Sequence, residues 1–107
     1  MTKQEICEQF EVEDSVIFFE PEEVFNKGIL GISEDKHHLI YGYYTLATAL
    51  AEDYEKEWNS KEHDEEEEKP DFYFDALEWL DVNTIPSTYY MINENYPIII
   101  YELTNGN

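Results

Sequence analysis

Apolar positions along this chain follow two periods, and the switches between them mark its elements. Val16-Ile17-Phe18-Phe19 is a continuous apolar run followed by Pro21. β-Branched and aromatic residues favour extended backbone and proline ends a ladder, so the run predicts a short strand. Glu22 to Phe25 reads as a helical turn closing on Asn26 and Gly28. Gly28 to Ile32 and His38 to Tyr43 are strand-like runs joined by the polar Ser33-Glu34-Asp35-Lys36-His37, a spacing that predicts an antiparallel hairpin. Gly31 and Gly42 fall within or at the end of these runs, where glycine marks a bulge or a close backbone approach. Ile98-Ile99-Ile100-Tyr101 is apolar on both strand faces, which predicts a central strand.

Between the hairpin and this last run the period becomes helical. Leu46, Ala47, Leu50, Ala51, Tyr54 and Trp58 form a stripe about 140° wide along a helix from Tyr43 to Trp58, with Gly42 as its N-cap. A second helix is expected from the capping residue Asp71 to about Val82. Asn83 suits a left-handed helix terminus, and Pro86 predicts that the helix goes no further. Phe72, Tyr73, Ala76, Leu77 and Leu80 make its apolar side, while Asp71, Asp75 and Glu78 share the opposite face at i, i+4, i+7 spacing. Residues 85–97 read as a loop tied down by Tyr89, Tyr90, Ile92 and Tyr96.

Charge changes the picture most. The formal net charge is −20, from 26 acids against six lysines and no arginine, and the stretch from Glu52 to Asp81 holds 14 of those acids. Like charges at i, i+4 cost a helix roughly 0.2–0.5 kcal/mol a pair. Glu52, Asp53, Glu55 and Glu57 also crowd the end of the first helix, where the macrodipole favours cations. Acids placed against local stability point either to a partner or to a merely solubilising surface. Asn59 to Lys69, with its run Asp64 to Glu68, predicts a mobile acidic loop. Its spacing is not that of an EF-hand.

With 107 residues, 42% of them hydrophobic, the chain is expected to form one domain over residues 1–107, with residues 1–15 fraying and Phe10 docked on the body. The lone Cys7 fits a reducing cytoplasm, and neither a membrane span nor a secretory signal is expected. Without basic clusters, direct nucleic-acid or anionic-membrane binding is excluded as a function class. Adjacent His37 and His38 would point to opposite faces of a strand, so no metal site is expected, nor any cofactor. Solvated carboxylates are the reverse of the buried, pKa-shifted pairs that acid-base catalysis needs, and Cys7 has no evident histidine partner, so the protein does not read as an enzyme.

Ala76-Leu77-Glu78-Trp79-Leu80-Asp81-Val82-Asn83-Thr84-Ile85, followed by Pro97-Ile98-Ile99-Ile100-Tyr101, resembles a family of small acidic proteins from phages and mobile elements of Gram-positive bacteria. In that family an acidic helix closes in EWIDYNTIRALPY and the chain ends on a PIIIY strand. The resemblance covers about Gly28 to Leu103 and departs at Val82, where tyrosine is usual, and from Pro86 to Tyr89. It implies a bacterial intracellular setting and makes inhibition of restriction or CRISPR nucleases plausible.

The expected fold is α+β, a small, mostly antiparallel sheet of three or four strands with two helices packed on one face. The expected function is that of a nucleic-acid mimic whose partner is a basic DNA-binding protein or nuclease, of anti-restriction or anti-CRISPR type. Glu52, Asp53, Glu55, Glu57, Asp71, Asp75, Glu78 and Asp81 are the candidate partner-binding residues. Two alternatives stand beside it. One is a structural or oligomerising module whose charge only solubilises, and the other is an antitoxin or immunity protein for a basic toxin.

Overall fold

The hairpin forms as its pattern predicts, with β1 (Ile29–Ile32) and β2 (Leu39–Gly42) paired antiparallel. The register shifts between Ile29 and Gly31, placing Gly31 at the irregularity. The computed structural model describes residues 2–12, 16–89, 91 and 95–103. In the turn, Ser33 N–H donates to the His38 carbonyl at 2.9 Å, and Lys36 takes a left-handed conformation with φ 64.

Two expectations about the sheet are corrected. The central strand is β2, with β1 on one side and β3 (Ile98–Ile100) on the other. Leu39 and Tyr41 of β2 are fully buried, whereas Ile100 of β3 is exposed. The sheet is also mixed, because β3 runs parallel to β2, with Ile40 opposite Ile98 and Gly42 opposite Ile100. A parallel neighbour needs a long crossover, and the whole helical segment between Gly42 and Ile98 supplies it. The class is α+β, as expected.

Val16 to Phe19 forms no strand. Its backbone donors go elsewhere, Phe19 N–H to the Tyr41 hydroxyl at 3.0 Å and Ile17 N–H to the Asn95 carbonyl at 3.3 Å. Burial of Val16 and Phe19 holds the segment on the core without a ladder. Phe19 lies 4.7 Å from the Tyr41 ring and 5.7 Å from that of Phe25, and Phe25 meets Trp79 at 6.0 Å. These tilted pairs knit the chain's first quarter to its helices. Burial pushes the Tyr41 phenol up to about 12, the hydrogen bond from Phe19 opposing and the Glu22 carboxylate adding to it.

Ahead of this segment, α1 (Lys3–Phe10) is capped by Thr2, whose hydroxyl oxygen accepts from Glu5 N–H at 3.2 Å. Ile6 is its buried anchor, and Phe10 packs beside the core half-buried. The turn expected at Glu22 to Phe25 is α2 (Glu22–Phe25), which tightens into a 3-10 turn over Asn26–Gly28. The Leu46 side chain lies so close to Gly28 that a Cβ there would collide with it.

The longest element, α3 (Tyr43–Asn59), buries Leu46, Ala47 and Leu50 from the expected stripe, together with Tyr43 and Ala49. It packs chiefly against α4 (Phe72–Trp79). Tyr43 reaches Asp81 at one end and Trp58 faces Phe72 at the other, so the two helices run antiparallel. Ala76 of α4 and Leu80 just beyond its end are fully buried, whereas Tyr73, expected in the core, is exposed.

The helix does not stop at Asn83. It widens into a π turn over Leu80–Thr84, in which Ile85 N–H reaches the Leu80 carbonyl, and continues as α5 (Ile85–Tyr89). Proline in an ordinary helix clashes with the carbonyl four residues earlier. The wide turn just before Pro86 relieves that clash, and nearby side chains collect carbonyls from this stretch. Asn83 donates its amide to Trp79 O at 3.1 Å, Ser87 its hydroxyl to Thr84 O at 2.6 Å and Thr88 its hydroxyl to Ile85 O at 2.7 Å. Of the four residues expected to tie down the following loop, Tyr90 and Ile92 lie outside the described residues.

Candidate partner-binding surface

The antiparallel pairing of α3 and α4 decides which acids meet. Tyr54, on the α3 stripe, lies half-buried between the helices. Its phenol is raised above its ordinary value by burial first and then by the carboxylates of Asp53, Asp75 and Glu57. Glu78 joins this group by lining the same groove, of about 510 Å³, with Tyr54, Asp75, Trp79, Val82 and Asn83. Asp53 and Glu57 flank Tyr54 on α3, and Asp75 and Glu78 line the groove beside it from α4.

The other four candidates are placed differently. Asp71 is committed to the fold, since its carboxylate caps α4 by accepting from Phe74 N–H at 3.1 Å. Asp81, at the π turn, accepts from the Tyr43 hydroxyl at 2.7 Å. Burial and then this carboxylate push the Tyr43 phenol well above its usual range. Glu55 pairs with Lys69 at 3.2 Å, while Glu52 stands exposed on α3.

Lysine pairing sorts the acids further. Glu57 is bridged to Lys61 at 3.4 Å, with both groups exposed. Such pairs contribute about 0–1 kcal/mol and open readily to a competing cation. Among the described residues, the carboxylates of Glu52, Asp53, Asp75 and Glu78 have neither an ion-pair nor a hydrogen-bond partner.

Between the helices the acidic loop carries contacts that its composition hides. The His63 ring stacks on Trp58 with centroids 3.5 Å apart and planes 9° from parallel. Its Nε2 lies 2.8 Å from the Trp58 carbonyl and its Nδ1 2.7 Å from a Glu67 carboxylate oxygen. Both partners are acceptors, so the geometry calls for a proton on each nitrogen. The Trp58 carbonyl, then Glu67, raises the imidazole above its ordinary value against the weaker effects of burial and Lys61.

Sequence reasoning missed Trp79 and Val82. Val82 is 71% exposed and Trp79 39% exposed, both beside Asp75 and Glu78. The signal was in the spacing, since residues 75, 78, 79 and 82 share one helical row. Two apolar side chains in an acidic row stand out there.

No three His, Cys, Asp or Glu side chains among the described residues come together as a metal site would require. His38 turns its Nδ1 toward the Tyr96 carbonyl at 2.8 Å, and no helix among the described residues is long and apolar enough to cross a membrane. Comparison with known protein families, curated proteins and solved structures returned no match.

Proposed function

We propose that this protein is an acidic binding protein that imitates nucleic acid and inhibits a basic DNA-handling protein of the restriction or CRISPR nuclease type. The observation that carries the reading is that Asp75 and Glu78 line one groove with Tyr54, which Asp53 and Glu57 flank on α3, three of the four having no ion-pair or hydrogen-bond partner among the described residues, on helices that hold them in register. Over a longest dimension of 52 Å, 26 acids against six lysines place about one net negative charge every 3 Å. B-DNA carries one about every 1.7 Å, so the field is of the same order. A cleft built for phosphates is drawn to such a surface, and the attraction is screened by salt.

The test is displacement of labelled duplex DNA from a panel of basic nucleases. The protein should displace DNA from at least one, and the combined reversal Asp53→Lys, Asp75→Lys, Glu78→Lys should abolish this with the fold intact. Asp71 is left in place because removing a helix cap costs about 1 kcal/mol. Unchanged displacement by the reversed protein, or none by the parent across the panel, ends the reading.

A second reading has its own observation. Tyr44, Tyr101 and Ile100 are exposed near β3, with Tyr101 4.7 Å from the Tyr43 ring and 6.2 Å from that of Tyr44. Such an aromatic patch fits a structural or oligomerising module.

A further inference from the structure

We propose that the groove between α3 and α4 is a receptor for a single arginine side chain of the basic partner, its guanidinium lying on Trp79 and held by Asp75 and Glu78. The inference rests on the acidic-face reading above and names the chemistry of its contact. Four features select the occupant. Asp75 and Glu78 have no cationic or hydrogen-bonding partner among the described residues, so their charge is available. Trp79 and Val82 keep apolar surface open beside them, although the face is otherwise acidic. Tyr54 lines the α3 side of this shallow groove. Asn83 turns its amide back onto the Trp79 carbonyl, so it is not poised to meet a ligand carboxylate.

Other occupants fit badly. An apolar helix would bury two carboxylates without compensation, a second copy of this chain would bring its own large negative charge, and nucleic acid would be repelled. A guanidinium satisfies both halves of the groove at once. Its flat face stacks on an indole, and its edge offers several donors in the fork that carboxylates accept. A lysine ammonium matches the charge but has neither the flat face nor the fork, so the groove discriminates between the two cations.

Hexa-arginine and hexa-lysine are the probes, titrated at about 150 mM salt and followed by the indole N–H resonances of Trp79 and Trp58. Hexa-arginine should shift Trp79 selectively and bind at least about five-fold more tightly than hexa-lysine. Two substitutions of equal charge then separate groove from general field. Val82→Lys places a cation in the groove from an exposed position and should weaken hexa-arginine about ten-fold, whereas Asn59→Lys, outside it at the end of α3, should weaken it less than about two-fold. Asp75→Asn with Glu78→Gln, set against Glu52→Gln with Glu62→Gln, repeats the comparison without adding bulk. Equal affinity for the two peptides, or equal losses within each matched set, overturns the groove proposal while leaving the acidic-face reading standing. A peptide that seats as expected beside a parent protein that displaces no DNA does the opposite, supporting the groove and ending the mimicry reading.

Discussion

Glu102 does at the residue scale what no neighbour of α3 can. Gly42 has no side chain to cap the helix, and a Cβ there would meet the Glu102 carboxylate. That carboxylate accepts from Tyr44 N–H and Thr45 N–H at 2.9 Å each and from the Thr45 hydroxyl at 2.6 Å. Partial burial pushes its pKa up, but the Thr45 hydroxyl and the backbone N–H groups of Tyr44, Glu102 and Thr45 outweigh this, so it lies below the ordinary 4.5. Glu102→Gln should cost about 1 kcal/mol at neutral pH, in the range of a lost cap and its charge on the helix dipole. A depressed carboxylate stabilises above its unfolded pKa. The stability gap between parent and variant should therefore be full above pH 4.5 and close as the pH falls through the lower folded value, which paired denaturant titrations would show. A gap indifferent to pH would mean that shape, not charge, is what Glu102 contributes. Sequence reading saw Gly42 as the cap and missed Glu102, which stands 57 residues beyond the Thr45 N–H it accepts from. The cap at Thr2 is local, with Thr2 and Glu5 at capping-box spacing, yet the expectation of fraying over residues 1–15 passed over it.

Among the elements, the acidic loop and the π turn depart furthest from what pattern alone predicts. No apolar residue marks the loop, yet His63 lies flat on Trp58 with both ring nitrogens facing acceptors. A raised imidazole pKa stabilises below the ordinary 6.5 and loses that contribution as the pH climbs through the folded value. His63→Ala should thus lower the melting temperature more at pH 5.5 than at pH 8. The same loss at both values would show that the neutral ring packs as well as the charged one. The titration lies outside the proposed partner groove, which separates loop order from binding. The hairpin and α3 were legible because period, turn length and cap agree along one stretch of chain. The stop expected at Pro86 was not, because a proline rule presumes an ordinary α-helix before it. Here the wide turn at Leu80–Thr84 lets the ring in.

For the whole molecule, charge is the property that composition specifies best. Three of the six lysines, Lys36, Lys61 and Lys69, are paired with glutamates, and the ammonium of Lys3 lies 5.3 Å from the Phe18 ring centroid. No basic cluster is left to meet phosphates. The protein should not retard duplex DNA or RNA in a gel up to about 10 µM at physiological salt, well into the range where non-specific binders do so. A shifted band in that range would contradict the mimicry proposal at its root, since a mimic and its model should repel.

Sequence alone determined the α+β class, the hairpin, the start of both long helices and the excess of carboxylates on them, because each depends on neighbours within a few residues. Tertiary structure decided the rest. Only packing could make β2 the central strand, since Ile98 to Ile100 is as apolar as any interior strand and its place depends on which edge the crossover returns it to. Only packing could sort eight similar acids, giving Asp71 to a helix cap and Asp81 to a tyrosine hydroxyl while Asp53, Asp75 and Glu78 are left without an ion-pair or hydrogen-bond partner among the described residues. Composition counts carboxylates and periodicity assigns them to faces. Whether each meets a donor is set by backbone and side chains far away in the chain, and those distances exist only once it has folded.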